Sequence, residues 1–556
     1  MLVEILKRLG AMKRSGGIKV TAAIAAAGLL AVCSVLAINR ESAGPDAAAG
    51  EPPLLLPEGM PIVSKPVELT FLAGKAATSA SDWNEVMLWK HYAEKTNLHI
   101  RFRLAPFESI GEERRLALAT GSYPDAFYAA RLTQPELMRY GKEGVLVALD
   151  DLIEQYAPNM KSLLERYPEL RRSLTMPDGH IYSIPSFYDP DFLSMLIGTP
   201  LWLNRNWLEQ LGLPEPETTE ELYAYLKAVK QTDLNGNGAA DEIPYGGLGI
   251  NVLIHHVKGA WGLGNRGLAN PFVDLDEATG RLRFIPTDPK YKEVLEYVHK
   301  LYAEGLIEKD IFTIGSSEFY AKGTQGLYGS MVMPSPYTLM NQSGYVGSPA
   351  LAGPHGDKLY SHVKAPLVHV GAFAITNKNQ YPEATVRWID YLFSEEGSKL
   401  FYMGIPGESY EETADGELRY LPGIIDNKDG LTIEQALTPY VTWLGGSYPG
   451  FVRQPLFKGS ESLPESVEAA RKVKPYAVKE IWNPFNFSPG TLGTEINSYV
   501  NNTQAKFITG DLPFSDWDKY ISHLKMIGLD SYMLLYNEAY QAYVKAPASP
   551  EGLQQR

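Results

Sequence analysis

With a single cysteine, Cys33, among 556 residues, the sequence excludes an intrachain disulfide and a cysteine-based zinc site. Positive charge is also in short supply. Lys and Arg together number 51 against 65 Asp and Glu, a net charge of −14, and so acidic a surface is a poor tracker of phosphate, which excludes nucleic acid as a partner. No repeat of fixed period occurs, and neither does GxxxxGK[ST], HExxH or GxSxG, so the common phosphate-loop, zinc-protease and nucleophile-elbow chemistries have no motif to rest on. What is present builds a core. A hydrophobic share of 45% with 21% charged residues suits a folded chain of two lobes or more.

There is one long apolar run. Lys7, Arg8, Lys13, Arg14 and Lys19 precede an uncharged stretch from Val20 to Ile38, the arrangement of an export signal, and its nineteen residues are close to the ~20 of a membrane helix. Leu30 to Cys33 resembles a bacterial lipobox, in which the chain is cut before the cysteine and lipid is attached to it. Val32 departs from the usual Gly, Ala or Ser. Lipidation of Cys33 is the expectation, with an uncleaved signal anchor as the alternative. Both place the body outside the cytoplasm, anchored at the cell membrane. Residues 39–66, rich in Ala and Pro without apolar period, read as a flexible tether.

From Val67 onward short apolar runs alternate with longer amphipathic segments, the pattern of an α/β fold. Val67 to Leu72 is predicted as a strand, and Glu85 to Thr96 as a helix with Asp82 as a candidate cap. Thr218 and Glu221 form a capping box ahead of Leu222, Tyr225, Leu226 and Val229 at helical spacing. Tyr291, Val294, Leu295, Val298, Leu301 and Tyr302 make another helical stripe that stops at Gly305, and Pro382 opens a helix running to Phe393.

The sharpest local motif spans Asp233 to Glu242. Asp233, Asn235 and Asn237 stand at positions 1, 3 and 5, Gly238 at 6, the Ala239 carbonyl at 7, and Asp241 and Glu242 at 9 and 10. An all-oxygen set with a tight glycine turn suits a hard cation taking six to eight oxygens, so Ca2+ is expected on Asp233, Asn235, Asn237, Ala239, Asp241 and Glu242 in a structural role. Position 12 is Pro244, so the bidentate Glu of an EF-hand is missing and Glu242 is its nearest substitute. Gly262 to Gly267 matches GxGxxG, yet Pro271 follows and no strong strand precedes it, which makes it a glycine-rich loop. His255 and His256 are adjacent, so on a regular element they face apart and read as packed or exposed residues. Aromatic rings suit the C–H faces of sugars. Near loops and glycines, Trp83, Tyr128, Trp261 and Trp443 are the candidate ligand contacts, with core packing the even alternative for each.

Several segments in order resemble one family. Leu118 to Asp125 is similar to "LASGDYPD", Asp150 to Asn159 to "LDDLIEKYAPN", and Asp233 to Pro244 to "DPNGNGKADEIP". With Pro177 to Pro185, Leu201 to Leu213, Ser394 to Gly397, Phe507 to Gly510 and Asp516 to Asp518, the chain resembles the extracellular solute-binding lipoproteins of bacterial ABC importers, especially the alginate-binding proteins. The resemblance implies a two-lobed, periplasmic-binding-protein-like α/β fold with a hinge and an interlobe ligand cleft, and no catalysis. Lobe breaks are expected near residues 185–199, near 369–376 and after Gly404. That puts residues 67–187 and 372–410 in the N-terminal lobe and residues 188–371 and 411–545 in the C-terminal lobe.

The functional expectation is a monomeric, membrane-tethered protein that captures an oligosaccharide and delivers it to the permease subunits of an ABC importer by hinged closure. A secreted glycoside hydrolase or lyase, motivated by the many carboxylates and aromatics, is the alternative. A polyuronate ligand needs cations in the cleft, for which Arg131, Arg205, Arg266 and Arg453 are candidates, whereas a neutral glycan needs mainly aromatics and amides.

Overall fold

The computed structural model describes residues 54–264, 270–276, 279–361, 363–478 and 490–545. Cys33 and Arg266 lie outside them.

The first lobe is built on a six-stranded sheet. Its strands are β1 (Val67–Lys75), β2 (Leu98–Pro106), β3 (Ala126–Leu132), β4 (Ile184–Tyr188), β11 (Leu367–Ile375) and β14 (Gly450–Val452), in the order β14-β4-β11-β3-β1-β2. β1 runs parallel to β2 and β3, β14 runs parallel to β4, and β11 is antiparallel to both β3 and β4. β3 and β4 are buried almost throughout, which is why they read as continuous apolar runs rather than alternating ones. Around the sheet lies one core containing Phe71, Trp83, Tyr92, Tyr128, Trp388 and Phe451.

A second lobe carries β5 (Leu201–Asn204), β6 (Ile243–Gly246), β9 (Tyr328–Val332) and β10 (Tyr345–Gly347), in the order β10-β5-β9-β6. Two small hairpins pair β7 (Val273–Asp276) with β8 (Arg281–Phe284) and β12 (Tyr410–Glu412) with β13 (Leu418–Tyr420). The helix predicted at Thr218 runs Thr219–Gln231 with the reciprocal Thr218–Glu221 capping box formed, and it buries Leu222, Tyr225, Leu226 and Val229. The stripe at Tyr291 becomes helix Pro289–Ala303, and helix Gly490–Thr509 lies along it. There Tyr291 donates to Gln504 Oε1 at 2.8 Å. These helices fill a second, separate core with Tyr225, Val298, Phe507 and Tyr532.

Two sequence-based boundaries are corrected. The tether ends earlier than residue 66. Ile62 and Val63 are buried, Leu56 N–H donates to Ile62 O at 2.9 Å, and Arg387 donates to Leu56 O and Gly59 O, so residues 54–66 are docked on the first lobe. The segment 411–457 does not belong to the second lobe. Ile424, Leu437, Val441, Trp443 and Leu444 join the first core, and β14 adds a strand to the first sheet. The chain therefore crosses between lobes at residues 189–200, 363–366 and 453–463, whereas residues 369–375 belong to the central strand β11 rather than to a crossing.

Candidate ligand cleft and cation loop

The strand directions place the cleft. The first crossing leaves β4 at its carboxyl end and enters β5 at its amino end. Because β1, β2, β3 and β14 all run with β4, their carboxyl ends share that edge. Since β9 and β10 oppose β5 and β6 parallels β9, the carboxyl ends of β6, β9 and β10 sit at the facing edge of the second lobe. Crevices outside strand carboxyl ends are where open α/β sheets bind ligands.

On the first-lobe edge the backbone of β3 is distorted. Ala129 and Arg131 have left-handed φ of 48° and 55°, and the pairing with β11 shifts register at the same place. Two such residues cost about 1–3 kcal/mol each and persist only where their surroundings hold them. Here the holder is Arg114, buried and paired with Glu136 at 2.8 Å, whose guanidinium donates to the carbonyls of Ala130 and Arg131. Gly74 leaves room for the bulge, since a Cβ there would stand 2.5 Å from Ala129 O.

The distortion lays the Arg131 guanidinium over the Phe107 ring, 3.7 Å from its centroid. Among the described residues Arg131 makes no side-chain hydrogen bond or ion pair, and its Nε is buried without a partner. Desolvation lowers its pKa, and the nearby Tyr448, Glu108 and Tyr188 offset part of that. Tyr188 shares a 2.8 Å hydrogen bond with Ser447, and its phenol is pushed up to about 12 by burial. Tyr448 accepts from Ala76 N–H at 3.3 Å. His369 is held down to about 4 by burial and by Arg131.

The crossings add charges of both signs. Lys364 N–H donates to Leu196 O at 2.8 Å, which ties the second crossing to the first. Its side chain reaches solvent yet is hemmed in enough that desolvation lowers its pKa, against the pull of Glu461 on the third crossing. Glu434 is raised to about 7 by burial and by Glu461. From the second lobe, Leu248 after β6 and Tyr337 after β9 are each 41% exposed. On the first-lobe edge, a guanidinium without a counter-ion beside the Tyr188 and Tyr448 phenols is a set of groups that can orient a polyhydroxylated ring.

The four aromatic candidates are buried, two of them, Trp83 and Tyr128, directly against the rim residue Tyr448. Trp83 and Tyr128 are 0% exposed and meet edge to face, 6.0 Å between centroids, in the first core. Trp83 Nε1 donates to Ser79 Oγ at 2.9 Å. Trp443, 7% exposed, donates to Tyr402 O at 3.0 Å and packs on Phe457. Trp261, 3% exposed, sits in the second core against Tyr297 and donates to Glu293 at 3.1 Å. None presents an open ring face, because all four rings fill the interiors of the two cores. Arg205 begins helix Arg205–Leu211 as an exposed residue. Of the four cation candidates, Arg131 reaches the cleft rim, and its backbone distortion left no signal in the sequence.

The loop at Asp233 is folded by its own side chains. Asp233 accepts from Gly236 N–H at 2.8 Å and from Gly238 N–H at 2.9 Å, and both glycines are left-handed. Glu242 accepts from the N–H groups of Leu234 and Asn235 at 2.7 and 3.1 Å, while Asn235 and Asn237 donate to the two oxygens of Asp241 at 2.8 and 3.0 Å. No three His, Cys, Asp or Glu residues converge as a metal cluster among the described residues. The donor chemistry nonetheless fits a hard cation, since Asp233, Asn235, Asn237, Asp241 and Glu242 bring side-chain oxygens to one exposed turn with no sulfur or imidazole.

A family model described as bacterial extracellular solute-binding protein matches residues 76–399, a stretch that includes Arg131, Lys364 and the Asp233 loop. The chain belongs to this family. A fructooligosaccharide ABC transporter substrate-binding protein, FusA of Streptococcus pneumoniae serotype 4, is 28% identical over 501 residues, covering 85% of this chain and 90% of FusA. Solved structures of FusA with kestose, and of a FusA EF-hand mutant with fructo-nystose, both superpose at a TM-score of 0.71 with 25% and 26% identity, covering 86% of this chain and all of theirs. The alginate-binding protein AlgQ2, solved without calcium ion, shares the fold at TM-score 0.68 and 21% identity, over 86% of this chain and 98% of that one. No helix among the described residues of this family member is long and apolar enough to cross a membrane.

Proposed function

We propose that this protein captures an oligosaccharide outside the cytoplasm, in the cleft between its two sheets, and delivers it to an ABC importer by closing its lobes around the three crossings. The observation that carries the reading is Arg131, a guanidinium without a counter-ion that a distorted strand aims at the rim where the strand carboxyl ends of the two lobes meet. Family membership and the similarity to FusA support the sugar. A ligand that touches both lobes lowers the free energy of the closed state alone, which is how binding becomes a signal to a permease. Calorimetric titration with kestose, nystose, neutral glucans and oligogalacturonates tests this. Tight binding of one class with a raised melting temperature is expected, and no binding across the panel overturns the proposal.

The Asp233 loop takes Ca2+ in a structural role, in keeping with the EF-hand mutant made of FusA and the calcium-free form studied of AlgQ2. A bound cation would replace the amide and N–H contacts of Asp233, Asp241 and Glu242 with metal–oxygen bonds. Lipid on Cys33 tethers the protein to the membrane, and mass spectrometry of the native amino terminus checks that assignment. The alternative is a secreted glycoside hydrolase or lyase, motivated by the many carboxylates and aromatics. Sugar release from the same panel would favour it over transport.

A further inference from the structure

At the outer edge of the first sheet, a cavity of about 230 Å3 opens between helix Pro158–Arg166, the Phe393–Ser394 corner and the end of β14. Leu163, Phe393 and Phe451 give it an apolar lining, and Asn159, Ser162, Arg166, Ser394 and Arg453 a polar one. Arg453 rests on the Phe451 ring at 5.5 Å and Arg166 on Tyr167 at 5.0 Å. Neither guanidinium has a hydrogen bond or ion pair among the described residues, and Arg453 Nε is buried without a partner. Glu395 and Asp189 act on Arg453 only at longer range than an ion pair, and Glu395 is itself held by Lys399 at 3.1 Å. The two arginines oppose each other as like charges.

Two planar cations without an ion-pair partner, beside apolar lining, are the recognition chemistry of an anionic group on a small organic body. The guanidinium fork matches a carboxylate or phosphate in two parallel bonds, and the rings cover the body's C–H face. We infer that this cavity, at the carboxyl end of β14 and lined by none of the residues named for the rim of the interlobe cleft, binds a small organic anion: one carboxylate or phosphate carried on a body the size of a single sugar ring. The inference does not depend on which oligosaccharide the cleft takes.

The test is titration of the full chain with galacturonate and with glucose 6-phosphate, using glucose as the neutral control. Binding of one or both acids, absent for glucose and weakened by salt, is expected. The acid that binds distinguishes carboxylate from phosphate. Arg453→Gln and Arg166→Gln should each lower affinity about tenfold or more, the loss of one charge-assisted pair. Ser162→Trp fills the cavity from an exposed helix position without removing a charge and should abolish binding at an unchanged melting temperature. Glucose binding as well as the acids, acid binding that survives Ser162→Trp, or no binding of either acid at millimolar concentration would overturn the inference. A folded Ser162→Trp protein keeps the result readable even if Arg453→Gln fails to fold.

Discussion

The Asp233 loop and the rim around Arg131 are both polar sites on the same α/β frame, yet they are assembled in opposite ways. Every hydrogen bond quoted for the loop joins residues no more than eight positions apart. The rim instead gathers Ala76, Phe107, Arg131, Tyr188, His369, Ser447 and Tyr448, and a single bond from Ala76 to Tyr448 spans 372 positions. A site held by its own turn keeps its shape when the rest of the molecule moves. A site held by strand order exists only when the whole sheet is formed, and it is therefore the one that can respond to lobe movement.

The most severe way to break this comparison is to empty the core beneath the rim. Trp443→Ala removes a buried indole and its bond to Tyr402 O, so a stability loss of about 3–5 kcal/mol is expected in chemical denaturation, far above its effect on sugar affinity. A normal melt with lost sugar binding would move Trp443 from core to ligand contact. Chelation should strike the loop alone. At a cation concentration a hundredfold over its dissociation constant, removal costs about 2.7 kcal/mol, read as a lower melting temperature with unchanged far-ultraviolet dichroism. An unmoved melting temperature, in protein shown to be metal-loaded beforehand, would end the calcium assignment.

Arg131→Gln should sharpen the contrast from the other side. Loss of one charge-assisted contact is worth about 1.5–3 kcal/mol of sugar binding, a ten- to hundredfold rise in Kd by calorimetry, with the melting temperature of the unliganded protein nearly unchanged. Undiminished affinity would remove Arg131 from the site.

The effect that vanishes at neutral pH is the pH dependence of stability. His256 is held down to about 4 by burial, and its ring shares a 2.8 Å hydrogen bond with Thr199 O on the first crossing, in which Nε2–H is the donor. The folded form thus binds fewer protons than the unfolded chain between about pH 4 and 6.5, so the contribution is complete above pH 6.5 and is lost as pH falls toward 4. His255 and His369, held at about 3 and 4, have the same sign. Asp390 and Glu434, raised by burial to about 6 and 7, have the opposite one. His256→Gln, which keeps an N–H donor, should flatten the acid limb of a stability–pH curve. An unchanged limb would show that His256 is not part of it.

Legibility followed the same divide. The capping box at Thr218, the stripe from Tyr291 to Leu301 and the turn chemistry of Asp233 to Glu242 were readable because each is decided within a few residues by propensity and spacing. The return of residues 411–457 to the first lobe was not, since a three-residue strand at Gly450 has meaning only beside β4. Nor was the burial of Trp83, Tyr128, Trp261 and Trp443, because a neighbouring loop or glycine signals a turn without saying what covers the ring.

The sequence by itself determined the α/β pattern, the Asp-, Asn- and Gly-built turn at Asp233, the acidic net charge and, through several ordered segments, the resemblance to solute-binding proteins. Only the tertiary structure decided where the strand carboxyl ends of the two lobes lie and which cation stands at that rim. The physical reason is that Arg131 is aimed by two left-handed residues, an opposing register shift and the buried Arg114 that pins their carbonyls, and each depends on neighbours distant in the chain or on a backbone conformation that residue identity does not specify.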